Sequence, residues 1–87
     1  MIGKMIKYMR ESSNMTQSDL ASELEIGQTT LSGYERGFSK PNYEMVERVA
    51  DICDFEIVFI DKNSSEIFDT NGVMNKSIEV IKKKDKQ

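Results

Sequence analysis

Histidine is absent from this sequence, and cysteine occurs once, at position 53. With one thiol no internal disulfide can form. Without imidazole, neither the usual zinc ligand sets nor a Cys/His or Ser/His nucleophile pair can be assembled from the chain. No apolar run approaches the roughly 18 residues needed to span a bilayer, so no membrane partner is expected. The opening MIGKMIKYMRESS is too polar and too periodic for a secretory signal, which makes a cytoplasmic location the expectation. Carboxylates are the one catalytic resource in quantity, Asp and Glu totalling 15. Nearly all fall on polar helix faces, where they read as solubilising charge. The sequence therefore points away from an enzyme, with no metal and no cofactor expected. Cys53 lies in an apolar helical pattern and reads as a small buried hydrophobe.

What is present suits a modest single core. Eighty-seven residues, 38% hydrophobic and 31% charged, match an ordinary folded chain. The net charge of −3 argues at first against a polyanionic partner. Its distribution softens that objection, with −3 over residues 1–54, −3 over 55–72 and +3 over 73–87. The field at a docking face matters more than the total, and local Arg, Lys and helix N-termini can supply it.

The chain is organised around Thr16 to Glu35, TQSDLASELEIGQTTLSGYE. A Thr16 cap opens a helix whose apolar face is Leu20, Ala21 and Leu24, and the run stops at Glu25-Ile26-Gly27. A second helix starts from Gly27 and ends before Gly37. On a wheel of 100° per residue, its Leu31 and Tyr34 fall on one side, and Gln28, Thr29, Ser32, Gly33 and Arg36 on the other. That outer face holds amides, hydroxyls and one Arg, and no carboxylate. Groups that both donate and accept hydrogen bonds suit the base-pair edges of a DNA major groove.

Several stretches then combine at fixed spacing. They are MTQxxLAxxL (Met15, Thr16, Gln17, Leu20, Ala21, Leu24), the Gln-Thr-Thr-Leu-Ser start of the second helix, the close Tyr34 to Gly37, and Lys40-Pro41. Through them the region from about Ile2 to Asp54 resembles the Cro/Xre-type helix-turn-helix regulators, which include the lambdoid phage repressors. The resemblance implies a mainly α, four-helix repressor-like DNA-binding domain over residues 1–54. It implies sequence-specific binding of a palindromic double-stranded operator by a homodimer, and transcriptional regulation, most often repression. Gln28, Thr29, Ser32 and Gly33 would meet bases, Gly33 standing where relatives carry a longer side chain. Thr16, Gln17, Arg36 and Lys40 would meet phosphates, and Gln17 would also brace Gln28. Arg10 would pair with Glu35, tying the first helix to the end of the recognition helix. Glu25 occupies a position where many members have glycine in a left-handed turn, at a cost of about 1 kcal/mol.

The flanks complete the expectation. A first helix over Ile2 to Ser12 has the stripe Ile2, Met5, Ile6 and Met9, with Arg10 beside it. A fourth helix after Pro41-Asn42 buries Met45, Val46, Val49, Ile52 and Cys53. From Phe55 the pattern turns to β, with a strand to Ile60, a turn over 61–65 and a second strand from Glu66 to Thr70. Asn71-Gly72 closes this hairpin. Val73 to Lys84, carrying Met74, Ile78 and Ile81, reads as a marginal helix or frayed segment within the basic tail 73–87. Phe55, Ile57 and Phe59 would lie on one side of the strand and Val58 and Ile60 on the other. Two apolar faces on so short a hairpin predict that 55–72 is a dimerisation element. A competing reading is an antitoxin-like protein that holds a toxin through its C-terminal part and autoregulates its operon.

Overall fold

A computed structural model describes residues 2–69 and 72–73. Four helices, α1 (Ile2–Ser12), α2 (Gln17–Leu24), α3 (Gln28–Glu35) and α4 (Tyr43–Ile52), precede three short strands, β1 (Val58–Ile60), β2 (Ile67–Asp69) and β3 (Gly72–Val73). They fall into two compact units, the first ending at Phe55 and the second beginning at Glu56. No helix among the described residues is long and apolar enough to cross a membrane.

Local chemistry sets the helix starts. The Thr16 hydroxyl accepts the Asp19 N–H at 3.0 Å, and the Asp19 carboxylate accepts the Thr16 N–H at 3.1 Å, a reciprocal capping box for α2. Asn42 Oδ1 accepts the Met45 N–H at 2.8 Å to open α4. Gly27 begins α3 with no side-chain cap.

All four helices stop in the same way. A residue of positive φ follows each, namely Asn14 (58°), Glu25 (59°), Gly37 (81°) and Asp54 (64°). Its N–H returns to the carbonyl three residues back, and the next N–H to the carbonyl five back. The pairs are Asn14 to Glu11 with Met15 to Arg10, Glu25 to Ser22 with Ile26 to Ala21, Gly37 to Tyr34 with Phe38 to Gly33, and Asp54 to Asp51 with Phe55 to Ala50. This double closure satisfies carbonyls that the helix leaves without partners, and it requires the left-handed residue. The turn between α2 and α3 is thus kept with Glu25 in the position glycine would favour, and Ile26 is half-buried behind it. Glu25→Gly is expected to raise stability by about 1 kcal/mol, roughly 4–8 °C in Tm, by removing a Cβ from left-handed backbone. Thermal unfolding checks it, and an unchanged or lower Tm would refute the strain.

The core of the first unit is Ile6, Met9, Leu20, Ala21, Leu24, Leu31, Val49, Ala50 and Cys53. Two stripes differ from expectation. On α1, Ile2 and Met5 are exposed (39% and 52%), while Gly3 and Arg10 join Ile6 and Met9 inside. The cause is Gly3, where a Cβ would collide with the Tyr34 and Glu35 carbonyl oxygens. A bare backbone there lets α1 lie directly on the end of α3, and the 3, 6, 10 line turns inward. On α4, Val49, Ala50 and Cys53 are buried, whereas Met45, Val46 and Ile52 are half-buried.

The second unit is an antiparallel sheet of order β1-β2-β3. Val58 pairs with Asp69, Phe59 with Phe68 and Ile60 with Ile67; Phe68 then pairs with Val73 and Asp69 with Gly72. Three corrections follow. The first strand begins at Val58, because Phe55 is held by the α4 closure and meets Tyr8 edge-on at a centroid distance of 6.0 Å, within the first unit. The second strand is Ile67–Asp69. Gly72-Val73 does not end a hairpin or begin a helix but adds a third strand. Met74, Ile78 and Ile81, on which the expected terminal helix rests, lie outside the described residues. Between β1 and β2, Asp61 Oδ1 accepts the Asn63 N–H at 2.9 Å and the Asp61 carbonyl accepts the Ser65 N–H at 2.7 Å.

Candidate nucleic-acid interface

The α3 sequence buries Leu31 against the core and turns the opposite side outward. Gln28, Thr29 and Arg36 are exposed, and Ser32 and Gly33 half-buried. These five line one shallow groove together with Gln17 from α2 and Phe38 from the loop after α3. No carboxylate contributes to the lining, although acidic residues outnumber basic ones in the chain. Thr16, exposed, precedes Gln17; its oxygen accepts the Asp19 N–H, which leaves its O–H proton to offer. Lys40 is exposed but lines a neighbouring groove with Ile2, Gly3, Tyr34, Gly37 and Ser39. Of the expected contact residues, then, Gln17, Gln28, Thr29, Ser32, Gly33 and Arg36 share one surface, and Thr16 and Lys40 stand apart from it.

Behind the groove lies a buried polar node. Arg10 Nε and Nη2 donate to Glu35 Oε2 and Oε1 at 2.7 and 3.0 Å, while Nη1 donates to the Met15 carbonyl at 2.9 Å. The two side chains are 10% and 3% exposed. Gln17 Nε2 adds a third donor to the carboxylate, at 3.0 Å from Oε1. The resemblance implies a Gln17 brace on Gln28; this amide instead ties α2 to the end of α3. Burial pushes the Glu35 carboxyl up, but the hydrogen bonds from Arg10 and Gln17 outweigh it and hold the group below the ordinary carboxylate range. The Arg10 guanidinium is raised by its hydrogen bonds to Glu35, against the opposing effect of burial. One carboxylate thereby gathers α1, α2 and α3, fixing the helix that carries Gln28 and Thr29.

Phe38 was not legible as a site residue, yet it is 74% exposed on this rim, with the Arg36 guanidinium carbon 4.4 Å from its ring centroid. The signal was an aromatic directly after the helix-ending glycine.

The fold that presents this groove is shared with known proteins. The HTH_3 helix-turn-helix family model matches residues 6–60. The HTH-type transcriptional regulator ImmR of Bacillus subtilis (strain 168) is 25% identical over 91 residues, a match covering 97% of this chain and 70% of ImmR. Among solved structures, that of SinR, the master regulator for biofilm formation, in complex with DNA is similar at a TM-score of 0.58 and 30% identity, covering 63% of this chain and 89% of that one. Matched over most of its length, the chain belongs to the HTH_3 helix-turn-helix family, that of the Cro/Xre-type regulators.

Proposed function

We propose that this helix-turn-helix regulator binds double-stranded DNA sequence-specifically, as a homodimer, and represses transcription. The observation that carries the reading is the groove free of carboxylates, in which Gln28, Thr29, Ser32 and Arg36 converge. In a chain of net charge −3, a surface whose polar groups are amides, hydroxyls and a guanidinium, with Phe38 at its rim, suits base edges and phosphates. SinR, solved with DNA, supports the same partner here. Helix α3 enters the major groove, where Gln28, Thr29 and Ser32 read bases and Gly33 allows a close approach. Thr16, Gln17, Arg36 and Lys40 set the position on the backbone.

Selection of bound sequences from a random duplex pool tests this, expecting an enriched palindrome with half-sites about one turn apart. Enrichment of nothing would overturn the proposal. Gln28→Ala is expected to lose roughly 1–3 kcal/mol of specific binding with the fold intact, since it removes a base contact and no core atom. Lys40→Ala should weaken all duplexes alike and flatten the salt dependence.

For the dimer, the support is β1, an edge strand among the described residues, on which Phe59 is 58% and Ile60 47% exposed. Edge pairing with a second copy would cover both and continue the sheet through a two-fold axis. Ile57 and Val58, half-buried, extend this stretch, whereas Phe55 meets Tyr8 within the first unit and is left out of the proposed contact. Sedimentation of the intact chain and of a truncation at Phe55 separates the cases. A dimer for the first and a monomer for the second is expected, and the same oligomeric state for both would remove the strand from the interface.

A further inference from the structure

Phe38 sits where a helix closure usually places an apolar residue against the third residue from the helix end. Its N–H reaches the Gly33 carbonyl at 2.9 Å, so the backbone part of that closure is complete. The side-chain part has nothing to pack on, because the residue opposite is glycine. The ring is left 74% exposed, and what covers its face is the guanidinium of Arg36, 4.4 Å from the centroid. Among the described residues the only ion pair is Arg10–Glu35, and no described carboxylate holds Arg36.

We propose, resting on the DNA-binding reading above, that Phe38 is a positioning residue for Arg36 and thereby a specificity determinant of the interface. A cation held on an aromatic face uses the guanidinium plane and leaves its in-plane N–H groups free. Those donors match the O6 and N7 pair of guanine, which calls for a fixed fork; a phosphate is satisfied by a mobile cation as well. Arg36 follows Ser32 by one turn on the same stripe as Gln28 and Thr29, so it stands at the far end of the reading face. Arg36 thus reads a guanine near the edge of each half-site, a base contact in place of the backbone contact given it above, with Gly37 supplying the left-handed turn that brings Phe38 beneath it.

The test is duplex selection and binding titration with the full chain and the variants Phe38→Ala, Phe38→Tyr, Arg36→Ala and Phe38→Ala with Arg36→Ala. Phe38→Ala is expected to weaken the selected site about three- to tenfold and to relax preference at one guanine per half-site, leaving binding to scrambled duplex nearly unchanged. Phe38→Tyr should retain both, and the double variant should resemble Arg36→Ala alone. A uniform loss on all duplexes, or losses that simply add, would overturn the coupling. If wild type selects a site and Phe38→Ala selects it equally well, this inference fails and the DNA reading stands. If wild type selects none, both fail.

Discussion

Glu35→Ala is expected to lower the stability of the helical unit by about 3–5 kcal/mol, a large share of what a small domain possesses. The reason is what remains. Arg10, only 10% exposed on its side chain, would be left charged and buried, with the Met15 carbonyl as its one acceptor among the described residues. Arg10→Met should cost less, because a stranded carboxyl can take up a proton and still keep the Gln17 amide, whereas a guanidinium cannot shed its charge. Replacing both by apolar residues should recover part of the loss, and strict additivity of the single changes would show that the pair does not act together. The acid limb of stability gives an independent reading. Glu35 has its folded pKa below the ordinary value near 4.5, so its stabilisation is complete above that value and is lost as pH falls through the lower folded-state value. Glu35→Gln should flatten the fall of Tm in that window; an identical acid limb would remove Glu35 as its source.

Gly3→Ala should act from the opposite helix. The added Cβ would meet two backbone carbonyls, Tyr34 and Glu35, which cannot rotate away as a side-chain tip could. Either α1 lifts from α3 or the end of α3 is displaced, at a cost of about 1–3 kcal/mol despite alanine's better helix propensity. Since the Glu35 carboxylate belongs to the same contact, the ion pair should lengthen as well, and DNA affinity should fall along with Tm. A rise in Tm, the result for a freely exposed glycine in a helix, would refute the close approach.

That contact also marks where the sequence stops being readable. Helix limits are written in local chemistry, and Thr16, Asn42 and Ile2–Ser12 could be placed from caps and periodicity alone. The outer residues of α3 were equally legible, because one apolar residue, Leu31, sets the rotation of an eight-residue helix. The inner line of α1 was not. Ile2 and Met5 outscore Gly3 and Arg10 on any hydrophobic count, and only the position of the Tyr34 and Glu35 carbonyls makes the smallest residue the buried one. Likewise Phe55 looks like strand from its β propensity, but that preference is weak beside a neighbouring Tyr8 ring and an α4 carbonyl that accepts its N–H. Gly72-Val73 gave no sign of a third strand because two residues carry no alternation at all.

The repeated closure after Asn14, Glu25, Gly37 and Asp54 bears on how fast the helical unit is found. Each stop is specified within six consecutive residues, so a chain still unfolded already carries the registration marks of every helix. The search that remains is the docking of α1 across α3 and α4, the step with the greatest loop-closure entropy. A unit of local contacts and short connections falls among the low-contact-order domains that fold in microseconds to milliseconds. Three of its four stops use side-chain-bearing residues in left-handed backbone; because those closures precede docking, easing that strain speeds folding and leaves the unfolding rate largely unchanged.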